Sequence, residues 1–445
     1  MCAGGSARTH VAARRIGSRP RSSAQVWPIR ILRLAKLFSP DDSALDGPGE
    51  RRTRSDSAAP NPIVLTSAAG PLVSARSSDS ARRLATRRKK RAAPPPSGAL
   101  AQPVGFGQVR ISVEDPADGL VASVAGGALF KAAGPASPTL RILALSGGGA
   151  GGAFGAGALV GLTQAGYRPT FDIVTGVSTG ALIAPFAFLG SEWDDALADA
   201  YTGSSASEAL ALTGLRPGLG LYPADRLAGL VRRYVSEALL QGVAEAHDQG
   251  RRLLVATANL DAQATSIWDM GAIASHGGAA ALKLFEDVLV ASASLPGVFP
   301  PKLIEVSTED GVFEEMHVDG GAISPLFVVP DPRLLQRARA WKRPKAEVYA
   351  LVNTTLHPRS ISTPLGALPV LMRSFELMLR STYRSALRSV AGFCESNGLT
   401  LNTACIPSDF DGASMLRFER PLMLRLFDHG ADLARQGRLW RQMGA

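Results

Sequence analysis

Residues 171–189, Phe-Asp-Ile-Val-Thr-Gly-Val-Ser-Thr-Gly-Ala-Leu-Ile-Ala-Pro-Phe-Ala-Phe-Leu, decide the fold. Residues 171–175 read as a buried strand, 176–180 as a tight turn and 181–189 as an apolar helix. The turn, Gly176-Val177-Ser178-Thr179-Gly180, has the form G-x-S-x-G. A serine on a sharp strand-to-helix turn projects its hydroxyl above the sheet. It needs small neighbours, because a Cβ on either flank would clash in so tight a bend. A glycine-rich turn with a helix-capping serine is the bland alternative. The apolar strand before the turn and the small-residue helix after it favour a nucleophile at Ser178, with Gly176 and Gly180 supporting it.

Upstream, residues 141–145 form a short apolar run that reads as a second buried strand. Ser146-Gly147-Gly148-Gly149-Ala150-Gly151-Gly152 breaks it, and residues 153–165 read as a helix closed by Gly166 at the C′ position. Strand, loop, helix, strand, turn, helix is the order of a parallel sheet covered on both faces. Unpaired amides at a helix start suit an anion, whether a phosphate or a tetrahedral oxyanion. Gly147, Gly149 and Gly152 also fit G-x-G-x-x-G, so a dinucleotide site is the formal rival. That site needs an acidic residue at the end of the next strand, whereas Asp172 begins its strand.

A serine nucleophile needs a base within about 2.6–3.2 Å. Asp319, in Val318-Asp319-Gly320-Gly321, reads as a strand-terminal carboxylate free to point at a neighbouring strand end. The usual arrangement inserts a histidine between serine and aspartate. His317 shares a strand face with Asp319, and His429 would complete a Ser…Asp…His order. His247, His276 and His357 lack a motif.

Further out, residues 107–113, 253–259 and 265–268 read as strands, 317–319 as a strand end and 282–293 as a helix. Residues 368–390 read as a helix with Leu371, Phe375, Met378, Ala386 and Val390 on one side. Arg373, Arg380, Arg384 and Arg388 share another side, which is expected to be a solvated basic face, with membrane docking as the sharper reading. No window reaches the ~18 apolar residues of a membrane-spanning helix.

The formal charge of +10 is unevenly spread. The first 100 residues hold 19 Lys/Arg against 6 Asp/Glu, and the remaining 345 hold 29 against 32. The basicity therefore says nothing about an active domain. Residues 1–103 are rich in Ser, Arg, Pro and Ala and are expected to be a disordered basic segment. Residues 104–330 are expected to be the catalytic domain, with 331–445 a mainly helical part packing on it. The start does not read as a secretory signal; cell envelope and cytoplasm both stay open. Cys2, Cys394 and Cys405 form no metal or disulfide pattern.

Four motifs in order, Ser146-Gly147-Gly148-Gly149, Gly176-Val177-Ser178-Thr179-Gly180, Ala293-Ser294-Leu295-Pro296 and Asp319-Gly320-Gly321, together resemble the patatin-like phospholipases. Residues 152–157, 267–271 and 315–321 are most similar to the bacterial branch. The resemblance covers residues 138–330 firmly and 331–445 more loosely. It implies a three-layer α/β/α sandwich with a mainly parallel central sheet, and hydrolysis of lipid acyl esters. It also implies a dyad of Ser178 as nucleophile and Asp319 as base, without histidine. The amides around Gly147, Gly148 and Gly149 would form the oxyanion hole, and Gly320 and Gly321 would support Asp319. No metal and no cofactor are expected. The expected partner is a lipid or acyl ester, with peripheral membrane contact; nucleic acid is not expected. One departure stands out. Many members carry Arg or Lys two residues after the glycine triplet, where this chain has Gly151.

Overall fold

The computed structural model describes residues 91–96, 101–113, 139–204, 222–328, 345–357, 362–412 and 414–443. The chain divides into units 1–83 and 84–445, and every described residue belongs to the second. The expectation for the basic segment up to residue 90 lies outside the described residues. Part of the stretch read as low-complexity is nonetheless engaged. Arg91 forms an ion pair with Asp261, and Gln102–Pro103 forms a short strand.

In chain order the strands are β1 (Gln102–Pro103), β2 (Arg110–Ser112), β3 (Thr139–Leu145), β4 (Ile173–Val177), β5 (Arg252–Asn259), β6 (Ala264–Asp269), β7 (Lys302–Thr308), β8 (Gly311–Asp319), β9 (Lys345–Val352), β10 (Thr400–Cys405) and β11 (Arg441–Met443). The helices are α1 (Gly152–Gln164), α2 (Thr179–Leu189), α3 (Asp194–Thr202), α4 (Ala224–Tyr234), α5 (Glu237–Asp248), α6 (Met270–Ser275), α7 (Gly278–Ser292), α8 (Ala367–Asn397) and α9 (Arg420–Arg435). All the strands join one mixed sheet in the order β1-β7-β8-β5-β4-β3-β9-β10-β11, with β6 beside β5 and β2 beside β6. Its centre, β5-β4-β3-β9-β10, is parallel, and its flanks are antiparallel. The α/β sandwich expected from the sequence is thus present, with helices on both faces. The C-terminal part is mainly helical, yet its strands β9, β10 and β11 are built into the sheet.

Alternation along β3 shows why two faces are covered. Leu143 and Leu145 enter the larger core with α1, α2 and α7, while Leu140, Ile142 and Ala144 enter a second core with Val390 and Cys394 of α8. Helix α1 is buried from Gly152 through Leu162, because the sheet lies on one side and α9 on the other. The α1–α9 approach is close enough that a Cβ on Gly161 would stand 2.5 Å from the Ala431 carbonyl oxygen. Gly166 ends α1 at φ 73°, the left-handed C′ position expected for it.

Helix α8 corrects the sequence reading. Leu371 and Met378, assigned to the packing side, are 64% and 66% exposed, while Arg380, assigned to the solvated side, is 7% exposed and pairs with Glu376. The inward stripe is Phe375, Leu379, Tyr383, Ala386, Leu387, Val390 and Cys394. The helix is 31 residues long and meets two environments, the cleft side first and the sheet second, so no single face describes it. Among the described residues, no helix is long and apolar enough to cross a membrane.

Candidate active site

The site is made where two strand ends meet. Strand β6 pairs with β5 from Leu254 to Asn259 and so occupies one edge of it there. On the other edge, β4 runs parallel to β5 and ends with Val177 beside Ala256. Strand β8 runs the opposite way and ends on that same edge, with Asp319 beside Thr257. The two carboxyl ends therefore converge on adjacent residues of β5. Ser178 follows one end and Asp319 terminates the other.

Ser178 sits at φ 56°, ψ −127°, a backbone conformation that side-chain-bearing residues rarely adopt. The turn holds it there. A Cβ on Gly176 would stand 2.7 Å from the Cα of Ala181, and one on Gly180 would strike the carbonyl of Leu145 on β3. The Ser178 amide donates to Ser292 Oγ at 3.0 Å, and Ser292 donates to the Ala256 carbonyl at 2.7 Å. Ser292, at the end of α7, thus ties the elbow to β5. Sequence reading missed this strut, and its only local signal is its place just before the Ala293–Pro296 motif. Within that motif, the Ser294 carbonyl accepts from the Asp319 amide at 3.0 Å.

Asp319 is 2% exposed. Burial pushes its carboxyl up to about 6. The Ser178 hydroxyl and the Gly321 amide, the latter at 2.8 Å, pull the other way by hydrogen bonding to the charged form. Such a carboxylate is charged at neutral pH yet basic enough to accept a proton.

The glycine loop is fixed from behind. Ser146 Oγ accepts from the Asn353 amide at 2.9 Å and donates to the Gly147 carbonyl at 2.7 Å. The Asn353 side-chain amide donates to the Ser146 carbonyl at 2.8 Å. Cβ atoms on Gly148 and Gly151 would collide with the Asn353 carbonyl oxygen, and one on Gly149 with that of Met415. Backbone therefore fills the space behind the loop. It also leaves no room for any side chain at 151. The Gly147 amide donates to the Pro325 carbonyl at 3.3 Å, whereas Gly148 and Gly149 line the cleft.

That cleft, about 630 Å³, is walled by Leu182, Leu230, Leu295, Phe299, Leu379 and Met415 and opens on Ser178 and Asp319. A second apolar space of about 620 Å³ shares Gly149, Thr179, Leu182, Leu230 and Phe418 with it and extends along α2 to Tyr201 and Met423.

The histidines are placed elsewhere. His317 is fully buried. Its Nε2 lies 3.1 Å from Glu315, and its Nδ1 lies 2.9 Å from Thr257 Oγ1, which accepts from Trp268 Nε1 at 2.8 Å. Glu315 also pairs with Arg110 and is held down to about 2: hydrogen bonds from His317 and Arg110 outweigh the upward push of its burial. An ionised carboxylate only accepts, so Nε2 carries the proton and Nδ1 accepts from Thr257. Both ring nitrogens are thus engaged in a strut along β8. His429 packs between Phe154 and Phe410, with ring centroids 6.3 and 5.3 Å away, and does not line the cleft. His247 lies 3.5 Å from Asp269, and His276 packs against Phe106 with the rings tilted by 58°. Among the described residues, no cluster of His, Cys, Asp and Glu could hold a metal ion.

Residues 143–330 match the family model for patatin-like phospholipases. No curated protein matches the chain. Among solved structures, the chain is similar to VipD from Legionella pneumophila at 10% identity, covering 68% of each chain with a TM-score of 0.37. It is also similar to human GIVD cytosolic phospholipase A2 at 14% identity, covering 68% of this chain and 52% of that one with a TM-score of 0.29. The type III effector protein ExoU is similar at 14% identity, covering 69% of this chain and 54% of that one with a TM-score of 0.19. The chain therefore spans about half the length of the latter two.

Proposed function

We propose that the chain, whose residues 143–330 match the family model for patatin-like phospholipases, is a lipid ester hydrolase that works through a Ser178–Asp319 dyad and an acyl-enzyme. The observation that carries this reading is the convergence of β4 and β8 on adjacent residues of β5. It sets the Ser178 hydroxyl against a buried carboxylate with a pKa of about 6, while His317 has both nitrogens engaged.

Asp319 takes the Ser178 proton as Oγ attacks the ester carbonyl. The new oxyanion rests on the Gly148 and Gly149 amides, which line the cleft, while the Gly147 amide is turned to Pro325. Of the three amides expected for the hole, the first is therefore assigned to holding the loop. The alkoxide leaves with the proton from Asp319. Water, activated by Asp319, then hydrolyses the acyl-enzyme. The two apolar spaces that meet at Thr179 and Leu182 suit an acyl chain and its glycerol-side neighbour. Leu379, Tyr383, Met415, Leu416 and Phe418 complete the walls, so the proposed catalytic unit extends past residue 330 into the C-terminal part.

The test reacts the full-length protein with a fluorescent alkyl fluorophosphonate and follows nitrophenyl ester release, alongside Ser178→Ala, Asp319→Asn, His317→Ala and His429→Ala. The dyad predicts that the first two variants are inactive and that both histidine variants keep measurable turnover. Near-normal activity in Asp319→Asn would sink the dyad, and loss in either histidine variant at full folding would favour a triad.

A further inference from the structure

Helix α8 lies outside the segment that matches the family model, yet it brings a hydroxyl to the reacting serine. A Cβ placed on Gly147 would stand 2.7 Å from the Tyr383 hydroxyl oxygen, 3.0 Å from Ser178 Cβ and 3.7 Å from Ser178 Oγ. The phenol and the nucleophile thus flank one point of the glycine loop. Tyr383 is 3% exposed and lines the cleft beside Ser178, Asp319, Gly148 and Gly149. Its ring packs with Leu379 and Met415, which fixes its direction. Burial and the nearby Asp319 charge raise its pKa, so the hydroxyl keeps its proton across the working pH range.

A buried tyrosine hydroxyl ordinarily has a hydrogen-bond partner. Among the described residues, this one forms no hydrogen bond. It is a donor lining the cleft with no hydrogen-bond partner among the described residues. The loop has a matching shortfall: the Gly147 amide is committed to Pro325, and Gly151 leaves no room for a cationic side chain.

We propose that Tyr383 is a catalytic residue that donates its hydroxyl proton in a hydrogen bond to the substrate oxyanion, as a third donor with the Gly148 and Gly149 amides. This rests on the dyad reading above. In the attack step the Ser178 Oγ–carbon bond forms, the carbonyl π pair moves onto oxygen, and the serine proton goes to Asp319. Tyr383 lends a hydrogen bond to the negative oxygen and keeps its own proton. On collapse that pair re-forms the carbonyl, the carbon–alkoxy bond breaks, and the alkoxide takes the proton from Asp319.

The experiment compares full-length wild type and Tyr383→Phe on an alkyl and a nitrophenyl ester of the same acid. It adds inhibition by an alkyl trifluoromethyl ketone, which forms a hemiketal oxyanion on the serine, and a thermal melt. Removing one oxyanion donor costs about 10²-fold in kcat, and that loss is expected on both esters, with KM within about threefold. Inhibitor affinity should fall by a similar factor. The melting temperature should hold or rise, because the lost hydroxyl has no partner among the described residues. Activity within twofold of wild type would overturn the proposal. So would a rise in KM alone, which would mean packing only, or a loss confined to the alkyl ester, which would place the hydroxyl at the leaving group. If wild type neither labels nor turns over, the dyad reading itself fails and takes this one with it. That result is distinct from an active wild type whose Phe variant is equally active.

Discussion

Residues 143–328 and residues 345–443 build the same cleft by different means. The first region supplies the proposed dyad on tight turns: Ser178 at positive φ between two glycines that nothing larger could replace, and Asp319 at a strand end before Gly320-Gly321. The second supplies ordinary residues in ordinary conformations. Asn353 clamps the glycine loop from the end of β9, Met415 presses a carbonyl against it, and Leu379 and Tyr383 wall the cleft from α8. Reactive geometry is stored locally as backbone strain and close approach. Its enclosure is stored in long-range contacts that leave no short motif. The first kind should fail abruptly when altered and the second gradually.

Gly180→Ala tests the abrupt case. The added Cβ would strike the Leu145 carbonyl on β3, so the elbow must open. Turnover should fall at least about 10³-fold, because displacing the nucleophile by even 1 Å is costly, and the chemical melt should show a loss of about 2–4 kcal/mol. A variant with normal turnover would show that the bend at Ser178 is not needed.

Asp319 offers a contrast within the first region, because its function and its stability pull apart. Folding raises its pKa from 3.8 to about 6. Between those values the folded state holds a proton the unfolded state has released, so stability falls as pH rises through that window. Above it the burial cost is complete, at about 3 kcal/mol. Asp319→Asn should therefore be more stable than wild type at pH 7.5 and gain nothing near pH 3.5, as urea melts at the two pH values would show. In the proposed dyad the charged carboxylate is the base. The ratio kcat/KM should accordingly rise with pH through a midpoint near 6 and then level off. An acid limb centred near 4 would mean that Asp319 is better solvated than its burial implies.

Met415→Ala tests the gradual case. Its side chain packs with Leu379 and Tyr383 and faces the cleft, while its backbone carbonyl holds the Ala150 amide at 3.0 Å and survives the substitution. KM for a long-chain ester should rise by about tenfold, in line with the 1–3 kcal/mol of a lost apolar wall, with kcat little changed. A collapse of kcat would show that the second region does more than enclose.

Much of the first region was legible in the sequence. The strand–turn–helix around Ser178, the C′ glycine at 166 and the strand ending at Asp319 all rest on short-range rules: apolar runs, glycine placement and the spacing of 3.6 or 2 residues. Helix α8 was legible as a helix but not in its orientation. Leu371 and Met378 face outward and Arg380 inward, because a 31-residue helix passes from cleft wall to sheet cover and changes neighbours on the way. Neither the placing of β9 between β3 and β10 nor the part-engagement of residues 91–103 left a signal in composition.

By itself the sequence determined the kind of chemistry, because a serine in a glycine-bracketed elbow and an aspartate before paired glycines are local demands of backbone sterics. Only the tertiary structure decided which groups meet. The distance between Ser178 and Asp319 is set by two strands ending on one edge of β5, the exclusion of His317 by its bonds to Thr257 and Glu315, and the arrival of Tyr383 by a helix that follows both of them in the chain. Such long-range pairings carry no periodicity that a linear reading can detect. They are fixed when burying the two faces of the sheet outweighs the chain entropy that keeps these segments apart.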